Sequence, residues 1–268
     1  MAGPAVSLPS ELGRALLAIA EAAGRAILAV YEGDFAVERK ADDSPLTQAD
    51  LAAHRVILAG LAELEPAIPV LSEESAAVPW RERAAWRRLF LVDPLDGTRE
   101  FVKRNGEFTV NLALIEDGRP VLGVVHAPAL GLGMIGEPGR GAHLREGEGW
   151  RRLATRAAPP EPVVAGSRSH RDPLEHQMLA RIGPHRRLPL GSSLKLCRIA
   201  EGVVDLYLRQ GPTSEWDTAA GQAIVEAAGG AVVDLAGEPL RYNRRESLRN
   251  PPFLACGDPG RRWWELLR

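Results

Sequence analysis

The sequence predicts a mixed α/β protein, with an α+β N-terminal half over residues 1–158 and an α/β C-terminal half over 159–268. Three observations predict it. Two long segments of helical period open the chain. A block of short apolar runs separated by glycine-bearing turns fills residues 69–153. Beyond the composition break Ala157-Ala158-Pro159-Pro160, strand-length and helix-length segments alternate to the end. The first half is the candidate metal-site domain and the second the candidate substrate-binding domain.

Taken in order, residues 10–31 place Leu12, Leu16, Ile19, Ala23, Ile27 and Val30 at helical spacing, with Ser10 as cap and Gly33 as stop. A second helix is expected over 47–64, with Thr47 and Asp50 as a capping pair and Leu51, Ile57, Leu58 and Leu61 as its apolar stripe. Pro69-Val70-Leu71 is a short strand delivering Ser72-Glu73-Glu74. Leu89-Phe90-Leu91-Val92 has the continuous apolar character of a strand buried on both faces, and it ends at Asp93. Phe108–Ile115 and Pro120–His126 read as a hairpin about Glu116-Asp117-Gly118-Arg119, and Gly131–Leu153 as further short strands. In the second half, strands are expected at 163–165, 187–190, 203–208, 231–234 and 253–255. Helices are expected at 173–182, 193–201, 216–228, where Gly229-Gly230 closes the last, and at the C-terminus.

Composition narrows the function classes. With 45% hydrophobic residues in 268, a core can form without staples. The net charge of −2 gives no global basic field, which argues against a nucleic-acid partner; an anionic substrate must be met by local cations or a metal. Cys197 and Cys256 form no CxxC and read as buried thiols of a reducing compartment. The N-terminal residues lack the pattern of a signal peptide, and no run of about 18 apolar residues spans a membrane. The expected location is cytoplasmic, with peripheral contact to the inner membrane left open.

The chemistry concentrates in Asp93-Pro94-Leu95-Asp96-Gly97-Thr98. Two carboxylates three residues apart, with a carbonyl between them, can aim hard oxygen ligands at one point, which suits Mg²⁺ or Mn²⁺. Pro94 stiffens the segment, and Gly97 lets an anion approach the main-chain amides. Taken alone, this is equally a surface Asp-Gly turn. Glu73-Glu74, Asp50 and Trp216-Asp217 supply further carboxylates, although each has a plain reading as a loop charge, a capping partner or a helix cap. A competing Asp-x-Asp-Gly-Thr arrangement would form an aspartyl phosphate. The extra residue here turns the second carboxylate away from that acid/base position, which favours metal-activated water.

These residues resemble the lithium-sensitive, magnesium-dependent phosphatases related to inositol monophosphatase. The paired motifs of those enzymes, Asp-Pro-Leu/Ile-Asp-Gly-Thr and Trp-Asp-x-Ala-Ala-Gly, stand here as Asp93–Thr98 and Trp216–Gly221. Within that superfamily the stretches 40–50, 93–111, Ser167–His170, Gly191–Lys195 and Gly211–Thr213 are most similar to bacterial CysQ-type 3′(2′),5′-bisphosphate nucleotidases. Arg99 replaces a common Lys, and the loop 137–150 carries nothing distinctive.

The resemblance implies a layered αβαβα sugar-phosphatase fold. It also implies hydrolysis of the 3′-phosphate of adenosine 3′,5′-bisphosphate (PAP), and of its sulfated form PAPS, as part of sulfur assimilation. Two or more Mg²⁺ ions are implied, with Mn²⁺ as substitute and Li⁺ as inhibitor. Glu73, Asp93 and the Leu95 carbonyl would hold one ion, and Asp93, Asp96 and Asp217 a second. Asp50 and Thr98 would activate water beside Glu73, and the Gly97 and Thr98 amides would bind the scissile phosphate. Glu73, Leu95, Asp96 and Asp217 would therefore also face the substrate. Ser167, His170, Ser193 and Lys195 are the candidates for the ribose and the 5′-phosphate, with Lys103 and Arg104 as further cations. A monomer and a homodimer both remain open. Alternative readings are an inositol monophosphatase, a fructose bisphosphatase, or a non-catalytic sensor of nucleotide or metal.

Overall fold

The computed structural model describes residues 8–33, 37–39, 45–168 and 173–267. Lys40–Ser44 and the Ser169-His170 pair therefore lie outside the described residues.

Helix α1 (Glu11–Tyr31) starts as expected. Ser10 Oγ accepts a hydrogen bond from the Gly13 amide at 3.0 Å, which satisfies one of the donors a helix start leaves open. Strands β1 (Val37–Arg39) and β2 (Pro45–Thr47) form an antiparallel pair. Helix α2 (Gln48–Leu64) follows at once, so Thr47 belongs to a strand; its side chain is outside the described set. The buried face of α2 is Ala49, Asp50, Ala53, Ile57 and Leu61, whereas Leu51 is exposed. The expected stripe was thus rotated. Small alanines let α1 approach closely, and a reading weighted by side-chain size misses them.

A seven-stranded sheet takes the order β3-β4-β5-β6-β7-β8-β9. Its strands are β3 (Val70–Ser72), β4 (Arg88–Asp96), β5 (Thr109–Glu116), β6 (Arg119–Ala127), β7 (Leu132–Glu137), β8 (Gly141–Glu146) and β9 (Gly149–Leu153). Only β3 and β4 are parallel neighbours. The short helices α3 (Trp80–Arg83) and α4 (Thr98–Val102), absent from the sequence reading, flank β4. At the β5–β6 hairpin both Asp117 and Gly118 have positive φ, as a tight turn of this kind demands.

A five-stranded sheet takes the order β11-β10-β12-β14-β13. It contains β10 (Val163–Ser167), β11 (Arg186–Leu190), β12 (Leu206–Arg209), β13 (Ala231–Asp234) and β14 (Phe253–Cys256). The helices are α5 (Pro173–Ala180), α6 (Leu194–Ala200), α7 (Glu215–Ala227) and α8 (Trp263–Leu266).

Strand alternation explains the layering. In β4, Phe90 and Val92 face one core with Leu16, Leu17 and Ile27 of α1, while Leu89 and Leu91 face another with Leu196 and Ile224 of α6 and α7. That second core also receives Val163, Ala165 and Phe253 of the small sheet, and the opposite face of the small sheet packs Leu206 and Leu254 on Met178 of α5 and Trp263 of α8. The order is therefore helix, sheet, helix, sheet, helix: the five layers the resemblance implied. Cys197 and Cys256 are buried free thiols. Among the described residues no helix is long and apolar enough to cross a membrane.

Helix α7 lies directly on the large sheet. A Cβ at Gly136 would come within 2.2 Å of Ile224 Cα, and one at Gly123 within 2.3 Å of the Ala220 carbonyl oxygen. Only glycine permits this approach. Replacing Gly136 with Ala is expected to destabilise the protein by ~1–3 kcal/mol, seen as a lower urea midpoint with an unchanged slope. A midpoint at the wild-type value would show that α7 does not seat there.

Candidate active site

The site is organised by an irregularity in β4. Asp93 pairs with Asn111 and Asp96 with Thr109, so three steps along β4 oppose two along β5. This is a β-bulge, and bulges re-aim side chains. The strand does not end at Asp93 as expected; it continues to Asp96. The Leu95 amide donates to Asp93 Oδ1 at 3.0 Å, folding the carboxylate back over its own turn. Gly97 then takes φ +89°, and a Cβ there would stand 3.1 Å from both the Glu107 carbonyl oxygen and Ser192 Cβ. Thr98 opens α4 directly after it.

Two other segments line the same cleft, whose volume is about 370 Å³, and a third stands behind Thr98. The parallel register Ser72↔Val92 sets Glu73, next after β3, beside Asp93. Asp217 occupies the third position of α7 and closes a capping box, with its Oδ2 accepting from the Ser214 amide at 2.8 Å. The plain reading of Asp217 as a helix cap is therefore correct, and the cap also faces the cleft. Asp50 is 1% exposed, and the Thr98 hydroxyl lies 3.5 Å from its Oδ1 and 3.3 Å from the Leu95 carbonyl oxygen.

Asp96 is held by residues of both halves. Ser193 Oγ donates to Asp96 Oδ2 at 2.6 Å and accepts from Asn111 Nδ2 at 2.8 Å, while Asn111 and Thr109 also approach Asp96 Oδ2. Ser193 thus positions a carboxylate besides lining the cleft. The buried Lys195 ammonium donates to the Ser192 carbonyl at 2.6 Å and lies 5.3 Å from the centroid of the Tyr207 ring. Burial lowers its pKa, partly opposed by the Asp96 charge. Ser167 is on the cleft wall; His170 lies outside the described residues.

Two predicted cations are placed elsewhere. The Arg104 guanidinium donates to the Tyr31 and Gly33 carbonyls at 2.7 Å each, tying the end of α1, and neither Arg104 nor Lys103 lines the cleft. Sequence reasoning missed Arg209 and Arg249, which do. Arg209 lies just beyond the expected strand 203–208, beside the Gly211-Pro212-Thr213 stretch that the resemblance had marked.

The donor set is all oxygen. Burial pushes the Asp217 carboxyl up, and the nearby Asp96 and Glu73 carboxylates push it further, so its environment favours a compensating positive charge. Hard, mutually repelling oxygen donors fit a divalent cation such as Mg²⁺. Among the described residues no group of three His, Cys, Asp or Glu side chains forms a ready-made metal cage.

Glu107 links the two sheets at the rim of the cleft. Its carboxylate takes both guanidinium arms of Arg168, at 2.6 and 2.7 Å, and the Gly191 amide at 2.7 Å. Burial raises its pKa, but the bonds from Arg168 and Gly191 outweigh burial and hold it below the ordinary carboxylate value. A carboxyl lowered by folding stabilises above its unfolded pKa, and that contribution disappears as pH falls through the lowered value. Glu107→Gln is expected to cost ~1–3 kcal/mol at neutral pH. The gap to wild type should narrow below about pH 4 in urea unfolding. A gap independent of pH would remove the charged clamp.

The inositol monophosphatase family profile matches residues 9–255. Proteins named 3′(2′),5′-bisphosphate nucleotidase CysQ from Salmonella typhimurium strain LT2 and Escherichia coli K12 are 53% and 50% identical over 244 and 237 residues, each match covering 88% of this chain and 95% of the relative. The protein of that name from Haemophilus influenzae is 35% identical over 267 residues, with coverage of 98% and 99%. The solved structure of CysQ from Bacteroides thetaiotaomicron, 40% identical, aligns with a TM-score of 0.80 over 92% of this chain and 97% of that one. An IMPase from Thermotoga maritima aligns with a TM-score of 0.78 at 26% identity, covering 94% of both chains. The matched span takes in both sheets and every acidic residue of the cleft, and the chain belongs to the inositol monophosphatase family.

Proposed function

We propose that this protein is a magnesium-dependent 3′(2′),5′-bisphosphate nucleotidase that converts adenosine 3′,5′-bisphosphate to AMP and phosphate, and also accepts the sulfated PAPS. The observation that carries this reading is the convergence of Glu73, Asp93, Asp96 and Asp217 on one cleft at the Gly97-Thr98 helix start, in a chain half identical to proteins of that name. The non-catalytic reading is not favoured, because all four expected metal-ligating carboxylates, Glu73, Asp93, Asp96 and Asp217, line the cleft. The buried free thiols agree with a cytoplasmic role in recycling the by-product of sulfur assimilation.

Glu73, Asp93 and the Leu95 carbonyl would hold one Mg²⁺, and Asp93, Asp96 and Asp217 a second, with Mn²⁺ as substitute and Li⁺ as inhibitor. Two such cations, bound there, would supply stabilisation of the charge on the attacking and leaving oxygens of an in-line displacement. The protein's own part is to place and deprotonate water. Thr98 Oγ1 accepts a proton from the attacking water as its own proton passes to Asp50, so the buried carboxylate acts as base at one remove. The water oxygen bonds to phosphorus, the bond to the ribose 3′-oxygen breaks, that oxygen takes a proton from solvent to leave as the 3′-hydroxyl of AMP while Asp50 returns its proton to solvent, and the Gly97 and Thr98 amides hold the phosphoryl oxygens.

With Mg²⁺, kcat/KM for adenosine 3′,5′-bisphosphate is expected to exceed that for inositol 1-phosphate and fructose 1,6-bisphosphate. A large preference for inositol phosphate would sink the nucleotidase reading. Chelation should abolish turnover and added Mg²⁺ restore it, with millimolar Li⁺ inhibiting. Asp93→Asn and Asp217→Asn should each lower kcat at least ~100-fold, and Thr98→Ala by ~10²–10⁴. Ser193→Ala should raise the Mg²⁺ concentration for half-maximal rate by ~10–100-fold, as loss of a ligand-orienting bond does. Unchanged Mg²⁺ dependence in that variant would remove Ser193 from the site's support.

A further inference from the structure

We propose that Glu215 is a positioning residue for the metal site: its buried carboxylate, joined through Asn243 to Arg83, sets the first turn of α7, from which Asp217 serves as a ligand. The proposal rests on the metal-dependent reading above and adds to it three residues that do not line the cleft.

Glu215 opens α7, two residues before Asp217. An acid at that position ordinarily faces solvent, where the helix end favours its charge. Glu215 is instead fully buried, and its Oε2 accepts from the Asn243 amide at 2.7 Å. Asn243 holds φ +49°, a left-handed conformation that a non-glycine residue adopts at a cost. Arg83 claims both ends of its side chain. Asn243 Nδ2 donates to the Arg83 carbonyl at 2.7 Å, and Arg83 Nη1 donates to Asn243 Oδ1 at 2.9 Å. Arg83 is itself buried and also donates to the Arg245 carbonyl, at 3.1 Å, and to the Glu246 carbonyl. Asn243 therefore stands between a buried acid and a buried base.

The segment fixed in this way wraps the start of α7. The Glu215 amide donates to the Leu248 carbonyl at 2.8 Å, which satisfies a donor that a helix start leaves open. Asn250 donates from its amide to the Thr213 carbonyl at 2.9 Å and from Nδ2 to the Ser214 carbonyl at 2.7 Å. Ser214 is the residue whose amide holds Asp217 Oδ2. Residues 243–250 thus form a collar round the turn that carries the capping box, and Glu215 and Arg83 fasten the collar at its first residue. Arg83 belongs to α3, in the stretch of chain that leaves Glu73. The network therefore joins the segment bearing one candidate ligand to the helix bearing another. Burying an acid, a base and an amide together costs desolvation that an apolar cluster would not. Stability alone does not call for such an arrangement. Holding a ligand-bearing turn in one place does, as the bonds behind metal ligands do in general.

The test compares wild type, Glu215→Ala, Glu215→Gln and Asn243→Gly. Binding of Mn²⁺ to the metal-free protein is followed by loss of the free-ion EPR signal, and the Mg²⁺ dependence of adenosine 3′,5′-bisphosphate hydrolysis is measured beside it. Glu215→Ala is expected to weaken Mn²⁺ binding and to raise the Mg²⁺ concentration for half-maximal rate, each by ~10-fold or more, with most of kcat returning at saturating Mg²⁺. Glu215→Gln keeps an acceptor for the Asn243 amide and should recover most of the affinity. Asn243→Gly keeps the positive φ and the amide but drops the Arg83 bonds, and should weaken Mn²⁺ by a smaller factor. Leu179→Ala lowers stability in a core cluster that contains no residue of α7, and should bind Mn²⁺ as wild type does. Wild-type Mn²⁺ affinity in Glu215→Ala would overturn the assignment, as would an equal loss in Leu179→Ala. If Glu215→Ala does not fold, Asn243→Gly decides by the same two measurements. Wild type that binds no Mn²⁺ and ignores Mg²⁺ defeats the metal-dependent reading itself. Loss of Mn²⁺ in Asp217→Asn, with affinity kept in the Glu215 and Asn243 variants, defeats only the positioning role.

Discussion

One extra residue in β4 governs the rest of the site. Where Asp93 to Asp96 opposes only Asn111 to Thr109, the sheet cannot keep its alternation, and the strand must swing its two carboxylates out of the pleat. The swing is stable because neighbours complete it. Pro94 has no amide to leave unpaired, the Leu95 amide closes on Asp93, and Gly97 turns the chain where a side chain would strike Glu107 and Ser192. The bulge therefore depends on β5 on one side and on the loop before α6 on the other. It also determines what the parallel strand β3 can offer, since the Ser72–Val92 pairing sets Glu73 against the start of the irregularity.

Helix α7 supplies the counterpart. Its N-terminal turn presents Asp217, and its body rests on two glycines of the large sheet, so the backbone of that turn is placed by the core that joins both sheets. The capping bond from the Ser214 amide fixes the side chain at a point where the helix end favours a negative charge. Stability and site geometry are here the same contacts. The Ser193–Asp96–Asn111 bonds add a second tie between the sheets, and Glu107 with Arg168 and Gly191 a third.

Much of this was legible before any coordinates, because strand and helix periods are local. Phe90 and Leu91 alternate between two cores as a strand buried on both faces must, and the helices of the second half fall within a few residues of expectation. The acidic segment was legible because its spacing is chemical. What escaped is tertiary. Asp50 read from its own segment as half of a capping pair, and only the resemblance joined it to Thr98; its direction depends on α2 packing by alanines, which bury it toward Thr98. Ser193 read as a substrate contact because nothing in its own segment reveals Asp96, 97 residues away. Arg104 read as a cation for substrate, whereas two backbone carbonyls at the end of α1 claim it. Arg209 carried no signal, since an arginine at a strand end is usually solvated.

The same geometry bears on how the phosphoryl group is attacked. An aspartyl nucleophile needs a second carboxylate placed to give and take protons at the leaving oxygen. Asp96 is the only acid of the bulge that could do so. Its Oδ2 receives the Ser193 hydroxyl at 2.6 Å and is crowded by Asn111 and Thr109, so its environment supplies donors rather than a proton acceptor. Asp93, meanwhile, is folded onto the Leu95 amide. The pair is arranged to present oxygen donors on one side of the bulge. In the proposed mechanism the proton traffic falls to the hydroxyl that can both give and accept, Thr98, with Asp50 behind it. The three-residue spacing of the two aspartates, which first suggested water over a covalent intermediate, has its physical basis in the bulge that this spacing creates.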